Sequence, residues 1–294
     1  MHAKHSVRHR CAVGGLGLCL VLLALGLQSS SRFSSAGPAA LVGDGRDVVR
    51  VASANLHNFG YGQEDCGNSN LLILAGLLSA NDLVSCQEVM EGSGGARDCY
   101  SCPDSACRLE KLLVAMRQVS GHSWDRVVNG PFRYGTRYEY YVFLYNSDRL
   151  TFTGEQGTAD DILNIASFCV RPPFWAVFRI GSFSLTAVDY HAPDADTSVA
   201  TEGELQKLEP FLEALREMNP NERHVILAAD LNTRVCPLGS DWAVASRGQL
   251  DFIAFGKDTA EHGRFFLGGD WEPEIEERGL SDHPVVWAEF YVGP

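Results

Sequence analysis

An α/β sandwich, with two packed mixed β-sheets flanked by helices in four layers, is the fold class this sequence predicts, and three observations predict it. From Val48 onward, short β-branched or aromatic runs alternate with segments whose apolar residues recur at helical spacing. A hairpin pattern interrupts the alternation, so parallel and antiparallel neighbours mix. Polar motifs stand at the ends of the apolar runs, where buried carboxylates and amides are costly unless they serve a site.

In chain order, Val48 to Ala54 is a β-branched strand ending at Asn55, and Leu71 to Leu78 is an apolar helix candidate. Leu83 to Cys86 is a short strand ending at Gln87-Glu88. Arg108 to Val119 carries Leu109, Leu112, Leu113 and Met116 at helical period. Tyr138 to Tyr145 is an aromatic-rich strand entered through Glu139. Trp175 to Ile180 and Phe183 to Val188 flank Gly181-Ser182, a hairpin, and the second strand runs out to His191. Glu202 to Met218 aligns Leu205, Leu208, Leu212 and Leu215 on one helix face, with Pro220 as its stop. Val225 to Ala229 is a buried strand ending at Asp230-Leu231-Asn232, and Val285 to Tyr291 follows Ser281-Asp282-His283-Pro284. Gly60 to Asn68 and Met90 to Cys107 read as loops.

A chain of 294 residues, 45% hydrophobic and 21% charged, suffices for one large core. Residues 1–36 differ from the rest: Lys4, Arg8 and Arg10 precede an apolar run from Cys11 to Leu27, then serines and small residues to Ala36. That is the order of a secretory signal, with an uncleaved N-terminal anchor as the other reading. Both place the body in a secreted or extracytoplasmic compartment. Residues 37–47 read as a short linker and 48–294 as one catalytic domain. Without the four basic residues of the leader, which holds no acid, 20 basic residues face 37 acidic ones, a net of about −17. That field disfavours tight electrostatic binding of a duplex without metal ions. In an oxidising compartment Cys99, Cys102 and Cys107 are expected to contribute a disulfide, with Cys66 as a candidate partner; the connectivity is open. Zinc at Cys99-x-x-Cys102 lacks a second pair of ligands.

The strand-end residues suit phosphate and metal chemistry. Asp230 and Asn232 emerge on one side of an extended segment and can share a ligand, or simply make an Asx turn. Glu88, with no Lys or Arg before Arg97, suits a hard divalent cation, its oxygen chemistry favouring magnesium over zinc, with a solvated loop Glu as the other reading. Asp282 is placed to bind a cation while His283 faces substrate, against the alternative of a turn with an exposed histidine. Pairing of Glu139 with His191, and of Asp251 with His283, would fix each tautomer and raise each histidine's pKa.

Together, Ser53-Ala54-Asn55-Leu56-His57-Asn58-Phe59-Gly60, Gln87-Glu88-Val89, Arg137 to Tyr145, Val188 to Pro193, Asp230-Leu231-Asn232 and Ser281 to Pro284 resemble the endonuclease/exonuclease/phosphatase superfamily in order and spacing, from about Val49 to Phe290. Glu139 before an aromatic strand, and Arg171-Pro172-Pro173, look most like the deoxyribonuclease I branch. The resemblance implies a deoxyribonuclease I-like fold and magnesium, or calcium or manganese, held by Glu88, Asn55 and Asp282. It implies His191 with Glu139 and His283 with Asp251 as acid and base pairs, and Asp230 orienting water. Asn232 and Arg171 would contact the substrate phosphate, and Arg133 and Arg137 are candidate replacements for a backbone clamp, with a solvated loop as the other reading. The implied reaction is in-line attack of water on a phosphodiester, DNA being the first substrate and a small phosphodiester or phospholipid the second.

The chain also departs from that pattern. Ala229 replaces the usual glycine before the Asp and is expected to crowd the backbone; Met90-Glu91 stands where an arginine reaches into the minor groove; the segment from Asn232 to Asp251 is short. Gly248 to Phe252 lacks the inositol-phosphatase motif, and Val89-Met90 with Glu139 argues against abasic-site endonucleases. A catalytically silent interaction protein is the third reading, set against metal and histidine positions that are all filled. No stable protein partner is expected, and a monomer is.

Overall fold

The computed structural model describes residues 47–59, 68–90, 105–134, 137–163, 168, 171–193, 198–218, 224–248, 250–257, 265–270 and 281–292; at 47, 68–70, 105–107, 134, 137, 163, 198–202 and 265–270 the backbone alone is described. All belong to the unit Val42–Pro294. The leader, the loops 60–67 and 91–104, Pro220 and the side chains of Cys66, Cys99, Cys102 and Cys107 lie outside the described residues. So the expectations of a signal, an anchor and a disulfide staple meet no structural observation. Cys86 and Cys236 are free thiols. No helix among the described residues is long and apolar enough to cross a membrane.

Two mixed sheets of six strands each make the body. The first runs β11 (Phe265–Asp270), β12 (Val286–Val292), β1 (Asp47–Phe59), β2 (Leu83–Met90), β4 (Arg137–Asn146), β3 (Trp124–Tyr134). Here β1 and β2 are parallel while β12 and β4 flank them antiparallel. The second runs β5 (Thr151–Thr158), β6 (Phe174–Ile180), β7 (Phe183–His191), β8 (Val225–Asp230), β10 (Asp251–Gly256), β9 (Trp242–Arg247). The hairpin around Gly181 pairs Ile180 with Phe183, and Gly181 takes the left-handed φ of 55° that the tight turn requires.

Period-two burial builds the interior. Val49, Val51, Phe143, Phe174, Phe178, Ala228, Ile253 and Phe290 meet between the sheets, with Phe143 and Phe178 edge to face at 5.6 Å. Outside the first sheet, α1 (Asn68–Leu78) and α2 (Ser105–Ser120) cover a second cluster through Leu78, Leu112, Leu113 and Met116. Outside the second sheet, α4 (Ser198–Met218) lays Leu208, Phe211, Leu212 and Leu215 on Val188, Leu227 and Ala229, with the short α3 (Ala159–Leu163) beside it. The result is the four-layer sandwich expected. One expectation is corrected: the side chain of Ala229 is buried on the α4 face, away from the site, so it does not crowd that centre.

Register sets the site. His191 lies opposite Asp230, and Asp230 opposite Asp251, in one row across β7, β8 and β10. In the first sheet Asn55 lies opposite Gln87, and Glu139 opposite Met90. Irregularities fall between Asn55 and Phe59 and between Cys86 and Val89, where bulges re-aim the strand ends.

Candidate active site

Four non-glycine residues are described with left-handed backbone, and all stand at this end of the sheets: His57 (φ 45°), Asn58 (58°), Glu88 (55°) and Asn232 (48°). Each such conformation costs about 1–3 kcal/mol unless its surroundings hold it. Here they do. The Asn55 Oδ1 accepts the His57 N–H at 2.9 Å, the Glu88 carboxylate accepts the Asn58 N–H at 2.8 Å, Glu139 Oε1 accepts the Glu88 N–H at 3.0 Å, and Asp230 Oδ1 accepts the Asn232 N–H at 2.9 Å.

One acid–histidine pair is sealed. His191 Nδ1 is 2.7 Å from Glu139 Oε1, the His191 N–H donates to the Tyr141 hydroxyl at 3.0 Å, and both side chains are buried. Arg171, 1% exposed, gives Nη1 to Glu139 Oε2, Nε to the His191 carbonyl and Nη2 to the Ala192 carbonyl, each carbonyl at 3.1 Å. Burial alone would raise the Glu139 pKa, but the His191 and Arg171 charges outweigh it and hold it at about 2. Burial likewise lowers the His191 pKa, and Glu139 wins, so it ends raised. The arginine was expected to touch a substrate phosphate; that expectation is corrected, because its guanidinium is enclosed and braces the acid behind the histidine.

The second pair is open. His283 Nδ1 is 3.0 Å from Asp251 Oδ2, while Asp251 Oδ1 is buried with no hydrogen-bond partner among the described residues. Burial opposes charge on His283, yet the bond to Asp251 and the nearby Asp230 raise its pKa to about 9. Burial, with the like charge of Asp230, raises that of Asp251 to about 7. Ser281 holds this loop to the first sheet: its hydroxyl donates to the Asn55 carbonyl at 2.8 Å and accepts the His283 N–H at 3.1 Å.

Asp230 joins the two pairs. Its Oδ2 is 3.7 Å from His191 Nε2 and 3.6 Å from His283 Nδ1, and it accepts Asn55 Nδ2 at 2.9 Å. Asn55 Nδ2 also reaches Glu88 Oε1 at 3.0 Å, and Asn232 Nδ2 donates to the Ala192 carbonyl at 2.8 Å. So Asn55, Glu88, Glu139, His191, Asp230, Asn232, Asp251 and His283, scattered through the sequence, are linked by direct contacts. Asp282 stands at the rim, its side chain 65% exposed and its Oδ1 3.4 Å from His57 Nδ1. Arg137 begins β4, with its side chain outside the described residues. His57, Tyr141, Ser281 and the bracing role of Arg171 escaped sequence reading. Ser281 and His57 lie inside the quoted motifs; nothing local marks Tyr141 among the aromatics of its strand.

The donor set fits a hard divalent cation. Oxygen donors predominate, Asp230, Asp251 and His283 bring ligand atoms within 4.8 Å of one another, and one Asp251 oxygen is buried with no hydrogen-bond partner among the described residues. Glu88 and Asn55, already in contact, form a second polar corner, and Asp282 stands beside His57 at the rim.

With this geometry, the chain has the endonuclease/exonuclease/phosphatase fold, deoxyribonuclease I-like. Among solved structures it is similar to a family protein of that name from Leptotrichia buccalis, at 11% identity and a TM-score of 0.59, over 82% of this chain and 99% of that one. It is also similar to a mannosyl-6-phosphatase from Bacteroides thetaiotaomicron, at 13% identity and a TM-score of 0.55, over 82% and 99%. D. rerio TDP2 in complex with a single-strand DNA product matches at 17% identity and a TM-score of 0.55, over 83% and 99%. No protein-family model and no curated protein matches the sequence.

Proposed function

We propose that the protein is a divalent-metal-dependent phosphoesterase that hydrolyses phosphodiester bonds, with DNA as its substrate. The observation that carries this reading is the single oxygen, Asp230 Oδ2, set about equally far from two histidines that are each backed by their own carboxylate. Hydrolysis of a phosphodiester needs a base for water, an acid for the leaving oxygen and an acceptor that aims the water between them. Here one histidine takes the proton from water, the other gives one to the leaving oxygen, and Asp230 aligns the nucleophile. Asn232, held by the Ala192 carbonyl and its own strained backbone, directs its side chain at the phosphate. Glu88, Asn55 and Asp282 would hold the cation, magnesium or else calcium or manganese, whose charge stabilises the phosphate oxygens.

A second reading, a phosphoesterase for a smaller ester, is favoured by two positions. Met90, where a groove-reading arginine was considered, is a buried strand residue, and Arg171 is turned inward. One neighbour of this fold is named a mannosyl-6-phosphatase, while another is described in complex with a single-strand DNA product, so both readings have a structural neighbour. Plasmid nicking by the full chain with magnesium, with and without chelator and beside His191→Ala, tests the first reading. Nicking that requires metal and is lost in His191→Ala supports it; nicking unchanged in His191→Ala overturns the site. No nicking, with hydrolysis of a small phosphoester, moves the substrate to the second reading. Residues 1–36 we read as the exporting leader, checked by the N-terminal sequence of protein recovered outside the cytoplasm.

A further inference from the structure

Between the apolar core and the site lies a buried polar layer that the chemistry above does not use. Gln87 Nε2 donates to Asp189 Oδ1 at 2.6 Å, and lies 3.3 Å from Ser85 Oγ and 3.4 Å from the Ala228 carbonyl. Ser53 Oγ donates to Gln87 Oε1 at 3.4 Å, and Ser85 Oγ donates to the Ala228 carbonyl at 2.9 Å. Ser53, Ser85 and Gln87 belong to the first sheet, Asp189 and Ala228 to the second, and all are buried. Apolar side chains there would leave the sheet spacing to packing volume, whereas a saturated hydrogen bond selects one distance.

We propose that Asp189 and Gln87 are positioning residues for hydrolysis, a cross-sheet hydrogen bond that sets the distance between the Glu88 and His191 halves of the site. The inference rests on the phosphoesterase reading. Its geometry is a closed ring. Gln87 is bonded covalently to Glu88, whose N–H reaches Glu139 Oε1; the same oxygen holds His191 Nδ1, and His191 leads back through Tyr190 to Asp189. Lengthening the Gln87–Asp189 contact therefore pulls on both arms that meet at Glu139. Among the described residues the partners of Asp189 are Gln87, Ser85 and the Val142 backbone, none of them a cation. An ionised carboxylate would be very costly there. Burial, with the like charge of Glu139, keeps its pKa well above the usual carboxylate range, and an amide at this position keeps the acceptor oxygen.

The test uses the full chain, with kcat and KM on a phosphodiester and the ring-nitrogen NMR signals of His191 as separate readouts. Asp189→Asn keeps the acceptor oxygen and should leave kcat within about threefold of wild type and the His191 signals in place. Asp189→Ala should lower kcat roughly 10- to 100-fold with KM nearly unchanged and shift those signals, as expected for misplacement by a fraction of an ångström. If Asp189→Ala does not fold, the exchange Gln87→Glu with Asp189→Asn, which reverses donor and acceptor, should recover the activity and signals that Gln87→Glu alone loses. An Asp189→Ala protein with unchanged kcat and signals overturns the proposal. So does an Asp189→Asn protein as damaged as Asp189→Ala, or no recovery in the exchange. An inactive wild type whose His191 signals still follow Asp189 refutes the phosphoesterase reading and leaves the positioning role standing.

Discussion

The two acid–histidine pairs are alike in sequence terms and opposite in environment. Glu139–His191 is enclosed, with Arg171 balancing charge and Tyr141 holding the histidine backbone. Asp251–His283 has a like-charged neighbour in Asp230, an oxygen with no hydrogen-bond partner among the described residues and a histidine whose side chain remains 14% exposed. The first is preset by the protein alone; the second groups two acids around one partly exposed histidine, so a bound cation or a proton shifts its balance. Such an arrangement keeps one acid–histidine pair fixed and lets the other respond to what binds.

Removing either histidine should give the largest effect. His191→Ala and His283→Ala are each expected to lower kcat about 10²- to 10⁴-fold, and the double variant to lose far less than the product of the two if they act as one unit. Independent, multiplicative losses in steady-state kinetics would separate the pairs. Next comes the contrast in stability. Arg171→Met strands the buried Glu139 and should cost about 3–5 kcal/mol in denaturant unfolding. Asp251→Asn removes one of two neighbouring acids and should cost much less; equal losses would erase the distinction between sealed and open.

The pairs should also fail at opposite ends of the pH scale. Glu139 is depressed from 4.5 to about 2, so its contribution is present above 4.5 and lost as pH falls toward about 2. The gap in thermal midpoint between wild type and Glu139→Gln should narrow over that window. His283 is raised from 6.5 to about 9, so its contribution is full below 6.5 and lost as pH rises through about 9, while Asp251, raised from 3.8 to about 7, costs stability increasingly from 3.8 to about 7 and no further above it. Added magnesium or manganese should therefore raise the thermal midpoint more above pH 7 than below it; a flat response would count against a cation near Asp251. The smallest effect belongs to Ala229→Gly, expected to cost about 0.5–1 kcal/mol with kcat unchanged, because that side chain faces α4.

Much of the fold was legible because its buried strands are continuous apolar runs and its helices keep one apolar face. The strands β5 and β9 were not, since edge strands such as Thr151–Thr158, with Gly154 and Gly157 and mostly exposed positions, carry little period-two signal. β3 was hidden by Gly130-Pro131 within it, and β10 by its short length after Asp251. Among site residues, Asn55, Glu88 and Asp230 announced themselves as polar groups closing apolar runs, and His283 as one just before such a run. Tyr141 and Asp189 did not, being one aromatic among several and one acid beside a more conspicuous histidine.

The sequence by itself determined which polar residues stand at strand ends, their order along the chain, and the acidic, oxygen-rich chemistry they offer a divalent cation. Only the tertiary structure decided that His191, Asp230 and Asp251 share one row, that one Asp230 oxygen faces both histidines, and that Arg171 braces an acid. The physical reason is that strand register and sheet spacing bring together residues tens of positions apart, and these are set by pairing, bulges and buried hydrogen bonds that no local pattern encodes.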